Sequence, residues 1–181
     1  MATLHLACCS LSLLLLLLLP ISSLMTDGPP SVEIVRGVCN QTAYYTYCIN
    51  ALYSDPRTPN ADHYFLAYIS FGLVFANASN SLDHVSLLLK SPKDPNLTRG
   101  LQVCQGWYRR SVTAMLSAKS DLDSHSFSKL ASYAGQAVRA ADECEAAVGA
   151  TSSLPALGLN IRNRDIKRLS YICTIVSRLL P

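Results

Sequence analysis

Residues 100–122, which read GLQVCQGWYRRSVTAMLSAKSDL, decide the fold class. Apolar or small residues recur there at intervals of three and four, the spacing that places side chains on one face of an α-helix in a bundle. The residues of this face are Leu101, Cys104, Tyr108, Ser111, Met115, Ala118 and Leu122. The stretch therefore predicts a long helix with one side in a core.

Three further segments, at about residues 62–90, 127–148 and 163–180, show the same helical spacing. The predicted core face of the first is Phe65, Tyr68, Gly72, Phe75, Leu82 and Leu89. The face of the second is mostly small, which allows a close neighbouring helix: Leu130, Ala134, Ala137, Ala141, Cys144 and Val148. The face of the third is Ile166, Leu169, Cys173, Val176 and Leu180.

Four long amphipathic helices with short connections predict an all-α protein, an antiparallel up-and-down four-helix bundle. No segment of the chain after residue 23 alternates as a strand would. Two shorter helices, at about residues 32–38 and 42–52, precede the bundle. Because Cys39 and Cys48 lie at their junction, a local bridge would tie the two helices into an N-terminal hairpin outside the bundle.

The N-terminal segment, residues 1–23, has no Asp, Glu, Lys or Arg and contains the apolar run LSLLLLLLLP. This run is too short to span a bilayer comfortably, so we interpret residues 1–23 as a signal peptide of a secreted protein. The alternative is an uncleaved membrane anchor. No later stretch approaches transmembrane length in this interpretation, so no membrane association is expected after cleavage, and residues 31–181 are the predicted domain.

Seven cysteines are present, and two of them belong to the predicted signal peptide. An odd number in a secreted chain implies two bridges with one free thiol, or an intermolecular bridge. We favour a buried free thiol for Cys173, since it lies on a core face. Sequons at Asn40, Asn77 and Asn96 predict N-glycosylation. The remaining cysteines are Cys39, Cys48, Cys104 and Cys144.

Motifs of catalysis and of metal or cofactor binding are missing from the sequence after residue 23: it has no CxxC, HExxH, GxSxG, P-loop or dinucleotide fingerprint. We therefore expect no enzyme activity, no metal and no cofactor. The net charge of +3 is spread along the chain and does not suggest a nucleic-acid partner. The basic group at residues 162–168 is either a site for an acidic partner or a solvated helix face, and Tyr44, Tyr45 and Tyr47 either form a contact surface or pack the hairpin.

Four stretches together resemble the plant invertase and pectin methylesterase inhibitor family, from about Val35 to the C-terminus. Eight residues separate the first two cysteines of the domain, thirty-nine separate the next two, and Tyr108 follows Cys104 by four positions. The stretches are VCNQTAYYTYCINAL, GLQVCQGWYRRSVTAML, KLASYAGQAVRAADECEAAV and NRDIKRLSYICTIVSRLL.

The resemblance implies a four-helix bundle with an N-terminal hairpin, the disulfides Cys39–Cys48 and Cys104–Cys144, and an unpaired Cys173. It also implies a monomeric inhibitor of the apoplast or cell wall that forms a 1:1 complex with its enzyme. Such an inhibitor docks over the active-site cleft and excludes the substrate. It catalyses no reaction itself.

The target implied by the resemblance is pectin methylesterase, with a cell-wall or vacuolar acid invertase as the alternative. Phe127 lacks the Pro-Lys that precedes it in some invertase inhibitors, which favours the esterase. The Asp-Glu pair before Cys144 resembles the invertase inhibitors and favours an invertase. We place Arg109, Arg110 and Phe127 at the border of the docking face. A secreted helical lipid-binding protein and a small hydrolase are the rival classes.

Overall fold

Six α-helices make up most of the computed structural model, which describes residues 30–91, 94–149 and 157–181. The described residues contain no strand, and the all-α prediction is confirmed. The predicted signal peptide lies outside them. The helices are α1 (Pro30–Cys39), α2 (Tyr45–Tyr53), α3 (His63–Leu88), α4 (Pro95–Asp123), α5 (Leu130–Gly149) and α6 (Leu159–Ser177), and a short 3-10 turn covers Thr58–Asn60.

The four long helices form the predicted bundle. Each of them packs against the next in sequence, and α6 packs back against α3, so that the ring of helices is closed. The short helices α1 and α2 pack against each other and against α6, as an N-terminal hairpin at the side of the bundle. The predicted four-helix bundle with a hairpin is confirmed.

Local sequence sets where the long helices begin. The Asp62 carboxylate accepts a hydrogen bond from the Phe65 amide (2.7 Å), and Asp94 accepts one from Leu97 (3.0 Å), so both aspartates cap helices. The last helix begins at Leu159, four residues before the predicted start. It is preceded by Gly158, whose φ of 67° lies in the left-handed region that glycine adopts without strain.

The predicted core faces of α4 and α5 are buried at every position. The face predicted for α6 is also buried, except that Leu180 lies half-buried beyond the helix end. The face predicted for α3 is wrong, since Gly72 is exposed and Phe75 is 36% exposed. Because α3 is apolar around most of its circumference, its periodicity does not select one face. Its buried residues are Leu66, Ala67, Ile69, Ser70, Phe71, Val74, Ala78, Ser81 and Val85.

The length and composition of α3 also correct the expectation that no later stretch reaches transmembrane length. The helix has 26 residues and a mean hydropathy of 1.3 in its most apolar window, enough for a membrane span by those criteria alone. A core helix of a bundle meets the same criteria. In this structure, 44% of that window is buried inside the protein.

Two disulfides staple the fold. Cys39–Cys48 closes the hairpin with a Cα–Cα distance of 5.5 Å, and Cys104–Cys144 joins α4 to α5 in the core with a Cα–Cα distance of 4.4 Å. The remaining thiol, Cys173, is free and fully buried. Burial raises its pKa to about 12, which keeps it protonated and unreactive. An intermolecular bridge through Cys173 does not fit this position.

The hairpin is held on α6 by two of its three tyrosines. The Tyr44 hydroxyl donates to the Arg168 carbonyl (3.1 Å), and the Tyr47 hydroxyl donates to the Asp165 carbonyl (3.5 Å). The Arg168 guanidinium lies over both rings, at 5.3 and 5.1 Å from their centroids. Tyr45 is 41% exposed. Tyr44 and Tyr47 therefore pack the hairpin, as one of the two interpretations of the sequence held.

Helices α4 and α5 approach each other tightly at Gly100, and we predict that Gly100→Ala destabilises the bundle. A Cβ at this position would lie 2.7 Å from the backbone oxygen of Ala147, which has no flexible end that can move aside. We expect a loss of about 1–3 kcal/mol, despite the better helix propensity of alanine. Gly106→Ala on the same helix is the control, because its Cβ would meet nothing within 4 Å. Equal melting temperatures for the two variants would contradict this account of the α4–α5 contact.

Candidate functional site

The titratable side chains of the described residues do not form a metal-binding cluster. Among the described residues, no three His, Cys, Asp or Glu side chains lie close enough to hold a metal ion. The His84 ring contacts the Leu157 carbonyl (2.8 Å) and ties α3 to the segment before α6. The His125 ring stacks on Tyr64, with 5.1 Å between ring centroids. These histidines serve the structure, and a functional site has to be sought on the surface.

A groove of about 700 Å³ runs along the outer side of α4 and α5. The groove is wide and open, which suits contact with a larger molecule better than enclosure of a small one. We call it the α4–α5 groove. Its walls include Trp107, Arg109 and Arg110 from α4, and Tyr133, Gln136 and Arg139 from α5.

The α4–α5 groove combines an aromatic side chain with positive charge. The Arg110 and Arg139 guanidinium groups lie 4.5 and 5.6 Å from the centre of the Trp107 ring. No Asp or Glu lines the groove. Arg109 and Arg110 are exposed and have no carboxylate partner in the described part of the chain, whereas Arg139 lies 3.6 Å from Glu143. The groove is therefore complementary to an acidic surface.

The core beneath the groove holds α4 rigidly. Tyr108, next to Trp107, is fully buried, and its hydroxyl donates to the Asn163 side chain on α6. Burial raises the Tyr108 pKa, so that the hydroxyl remains a hydrogen-bond donor. One turn earlier, the Cys104–Cys144 disulfide fixes α4 to α5. The two walls of the groove thus keep a constant separation.

The structure separates the three residues that were predicted to border a docking face. Arg109 and Arg110 line the α4–α5 groove. Phe127 lies instead in the turn between α4 and α5, half-buried against Tyr64 and His125, with ring centroids 6.2 and 6.0 Å away. The structure therefore does not bring Phe127 to the two arginines.

Trp107 and Arg139 were not predicted as site residues from the sequence. Trp107 and Arg110 are three residues apart on one helix, a spacing that places them side by side and was readable from the sequence. Arg139 belongs to another helix, and its contact with Trp107 depends on the register between α4 and α5. No local signal reports that register.

Two members of the basic group at residues 162–168, Lys167 and Arg168, make contacts within the fold. The Lys167 ammonium lies 3.2 Å from an Asp142 carboxylate oxygen and 2.8 Å from one of Glu145, both on α5. Although partial burial opposes the charge of Lys167, these two carboxylates raise its pKa. Arg168 lies over the hairpin tyrosines. The interpretation of this group as part of the helical framework fits these contacts.

The three sequons lie away from the groove, and none of their asparagines lines it. Asn40 is exposed in the turn between α1 and α2, and Asn96 is exposed at the start of α4. Asn77 is half-buried on α3, where its side-chain amide donates to the Leu73 carbonyl (3.0 Å). Glycosylation at these positions stays a prediction, and it would leave the groove open.

Comparison with known proteins identifies the family of this fold. The model of the plant invertase/pectin methylesterase inhibitor family matches residues 33–176. The chain is 32% identical to the cell wall/vacuolar inhibitor of fructosidase 2 from Arabidopsis thaliana, over 93% of this chain and 96% of that protein. It is 29% identical to a pectinesterase inhibitor from Actinidia deliciosa, over 96% of both chains.

Solved structures agree on the fold. The crystal structure of a mutant form of a pectin methylesterase inhibitor from Arabidopsis superimposes with a TM-score of 0.71 at 22% identity. The superposition covers 80% of this chain and 95% of that one. The matched family model and the relatives named as inhibitors argue against the small-hydrolase interpretation. This protein belongs to the plant invertase/pectin methylesterase inhibitor family, whose members are inhibitor proteins and not enzymes.

Proposed function

We propose that this chain is a secreted inhibitor of pectin methylesterase in the cell wall, and that it docks its α4–α5 groove over the active-site cleft of the enzyme. The observation that carries the docking face is Trp107 between Arg110 and Arg139, on two helices joined by a disulfide. Family membership supports the inhibitory role, since relatives of similar length are named as enzyme inhibitors.

The chemistry of the groove suits a protein partner with carboxylates around its cleft. An arginine guanidinium presents paired N–H donors that match the two oxygens of a carboxylate. Trp and Arg are also the side chains that contribute most to binding when they are buried at the centre of an interface. Inhibition then needs no reaction, because rigid helices over the cleft exclude the polymer.

Pectin methylesterase is the leading target because the invertase-type Pro-Lys before Phe127 is absent, and Phe127 itself is packed against Tyr64 and His125. An acid invertase is the second candidate. It is favoured by the Asp-Glu pair before Cys144 and by the 32% identity to a protein named as a fructosidase inhibitor. The two targets share the docking face and differ in the enzyme surface that it meets.

The location and the stoichiometry complete the proposal. The apolar segment 1–23 and the sequons at Asn40, Asn77 and Asn96 support secretion. A relative is named as a cell wall/vacuolar inhibitor, and the cell wall is the one of these two sites that agrees with a secreted chain. Each chain carries one α4–α5 groove, so we propose that one chain binds one enzyme molecule.

A paired titration tests this function. Purified inhibitor is added in steps to a plant pectin methylesterase and, separately, to a cell-wall invertase, at a mildly acidic pH. We expect esterase activity to fall linearly and to reach zero near one inhibitor chain per enzyme, with invertase activity unchanged. Loss of invertase activity alone would replace the esterase by the second candidate. If several isoforms of both enzymes kept full activity, the proposed function would be wrong.

A further inference from the structure

A stripe of apolar and small side chains on α3 is left uncovered by the bundle. Its members are spaced three and four residues apart, the spacing of a seam between two helices. Gly72 is exposed, Phe75 is 36% exposed, and the other members are half-buried. We call this set the outer stripe of α3. It consists of Phe65, Tyr68, Gly72, Phe75, Ser79 and Leu82.

Gly72 makes a notch in the outer stripe. A Cβ placed there would meet nothing within 4 Å, so the position opens to the outside. A cavity of about 250 Å³ lies beside it, between α3 and α4, with Phe71 and Met115 among its apolar walls. At its mouth, Leu116 of α4 is 52% exposed. The notch has room for one large apolar side chain.

We propose that a second copy of this chain covers the outer stripe, with the two α3 helices antiparallel about a two-fold axis between positions 73 and 74. Around this axis, Gly72 faces Phe75 of the other copy, and Phe75 faces the other Gly72. Tyr68 faces Ser79 in the same way. The stripe therefore sets a large side chain opposite a small one at its four central positions, which is what close packing of two helices requires.

The outermost pair of the stripe brings opposite charges together. Phe65 of one copy faces Leu82 of the other, and the Arg57 guanidinium lies 5.2 Å from the centre of the Phe65 ring. Asp83 follows Leu82, is exposed, and has no ion pair within the described residues. In the antiparallel arrangement, Asp83 of one copy approaches Arg57 of the other, at both ends of the interface.

The rim of the notch is electrically balanced, which favours a like copy over an anionic ligand. Arg57 is paired with Asp55 at 2.6 Å, and Lys119 is paired with Asp123 at 2.9 Å. The Tyr68 hydroxyl also donates to the Asp123 carboxylate. Each of these cations thus stands beside a carboxylate that repels a purely anionic ligand. Asp55 binds the Nε and Nη2 groups of Arg57, so the Nη1 group can still meet Asp83 of the other copy.

The proposed dimer is compatible with the other surfaces of the protein. Asn77 is two residues from both Phe75 and Ser79, so it lies on nearly the opposite side of the helix, and a glycan there would not cover the stripe. The α4–α5 groove is on another face, so both copies keep it. We expect a weak, concentration-dependent association, because one helix pair makes a small interface. The monomeric state predicted from the sequence would then hold only in dilute solution.

Sedimentation velocity from about 1 to 500 µM measures this association, which we expect to pass from monomer to dimer in that range. Gly72→Leu should weaken it at least about tenfold by filling the notch, and it should not lower the melting temperature, since its Cβ meets nothing. Phe75→Gly should weaken it by removing the inserted ring. The double variant Gly72→Phe, Phe75→Gly should restore part of the affinity. Its large and small side chains have exchanged positions, so a phenylalanine still faces a glycine across the axis. Leu87→Glu is the control, because Leu87 is 60% exposed on the same helix outside the stripe.

Three results would overturn the proposal. The first is a monomer at every concentration up to 500 µM. The second is a dimer that Gly72→Leu leaves unchanged, which would place the interface elsewhere. The third is binding of a fluorescent fatty acid that Gly72→Leu abolishes while the protein stays monomeric, which would make the notch a lipid site. None of these results bears on enzyme inhibition, which is measured separately.

Discussion

The double variant Arg110→Glu, Arg139→Glu is expected to lose inhibition of the target enzyme by at least about 100-fold. Both guanidinium groups lie at the Trp107 ring, and both are exposed in the free protein. Reversal of two charges replaces attraction to an acidic surface by repulsion at the centre of the proposed interface. The measurement is the inhibition constant for pectin methylesterase at low and at high salt. The wild-type protein should bind more weakly at high salt, because ions screen the attraction.

The control for this variant carries the same change of net charge on other faces. Arg36 and Arg178 are exposed, on the hairpin helix α1 and at the end of α6, and neither lines the α4–α5 groove. We expect Arg36→Glu, Arg178→Glu to inhibit within about threefold of wild type, since distant rim charges act mainly on the association rate. If both double variants lost inhibition equally, overall charge and not the groove would drive binding. Full inhibition by the groove variant would move the docking face elsewhere.

Removal of the Cys104–Cys144 disulfide, by Cys104→Ala with Cys144→Ala, is expected to lower the free energy of unfolding by about 4 kcal/mol. The bridge spans 40 residues, so its loss restores much conformational freedom to the unfolded chain. Its sulfurs are also buried in the α4–α5 contact, about one turn from the tight contact of Gly100 with Ala147. In a circular dichroism melt we expect the midpoint to fall by roughly 10 °C.

The hairpin disulfide is the matched comparison. Cys39–Cys48 spans nine residues, and its removal by two alanines should cost only about 2.6 kcal/mol by the same relation. The buried Cys173 remains in both variants, so the difference between them reports the two bridges alone. A melt of the wild-type protein that reductant leaves unchanged would contradict the stabilising role given to both.

The candidate site was only partly predictable from the sequence. Arg109 and Arg110 were predicted to border the docking face, and both line the α4–α5 groove. Arg139 was missed because it meets Trp107 from a different helix. Phe127 was predicted to border the same face, but it lies in the turn between α4 and α5 and packs against Tyr64 and His125. Its position depends on the path of this turn, which periodicity does not report.

The sequence by itself determined the all-α class, the bundle with its hairpin, and the core faces of α4, α5 and α6. It did so because these helices have one apolar side and one polar side, so that burial of apolar surface leaves a single choice. It also determined that this is an inhibitor family, through stretches spread over the whole domain.

Only the tertiary structure decided which side of α3 enters the core. Both the stripe with Gly72 and Phe75 and the face with Leu66 and Val74 are apolar, and a single helix cannot rank them. The choice depends on which face fits against α4 and α6, a property of four packed helices and not of one periodic segment. The same packing decided the register of α4 and α5, and with it the meeting of Arg139 and Trp107.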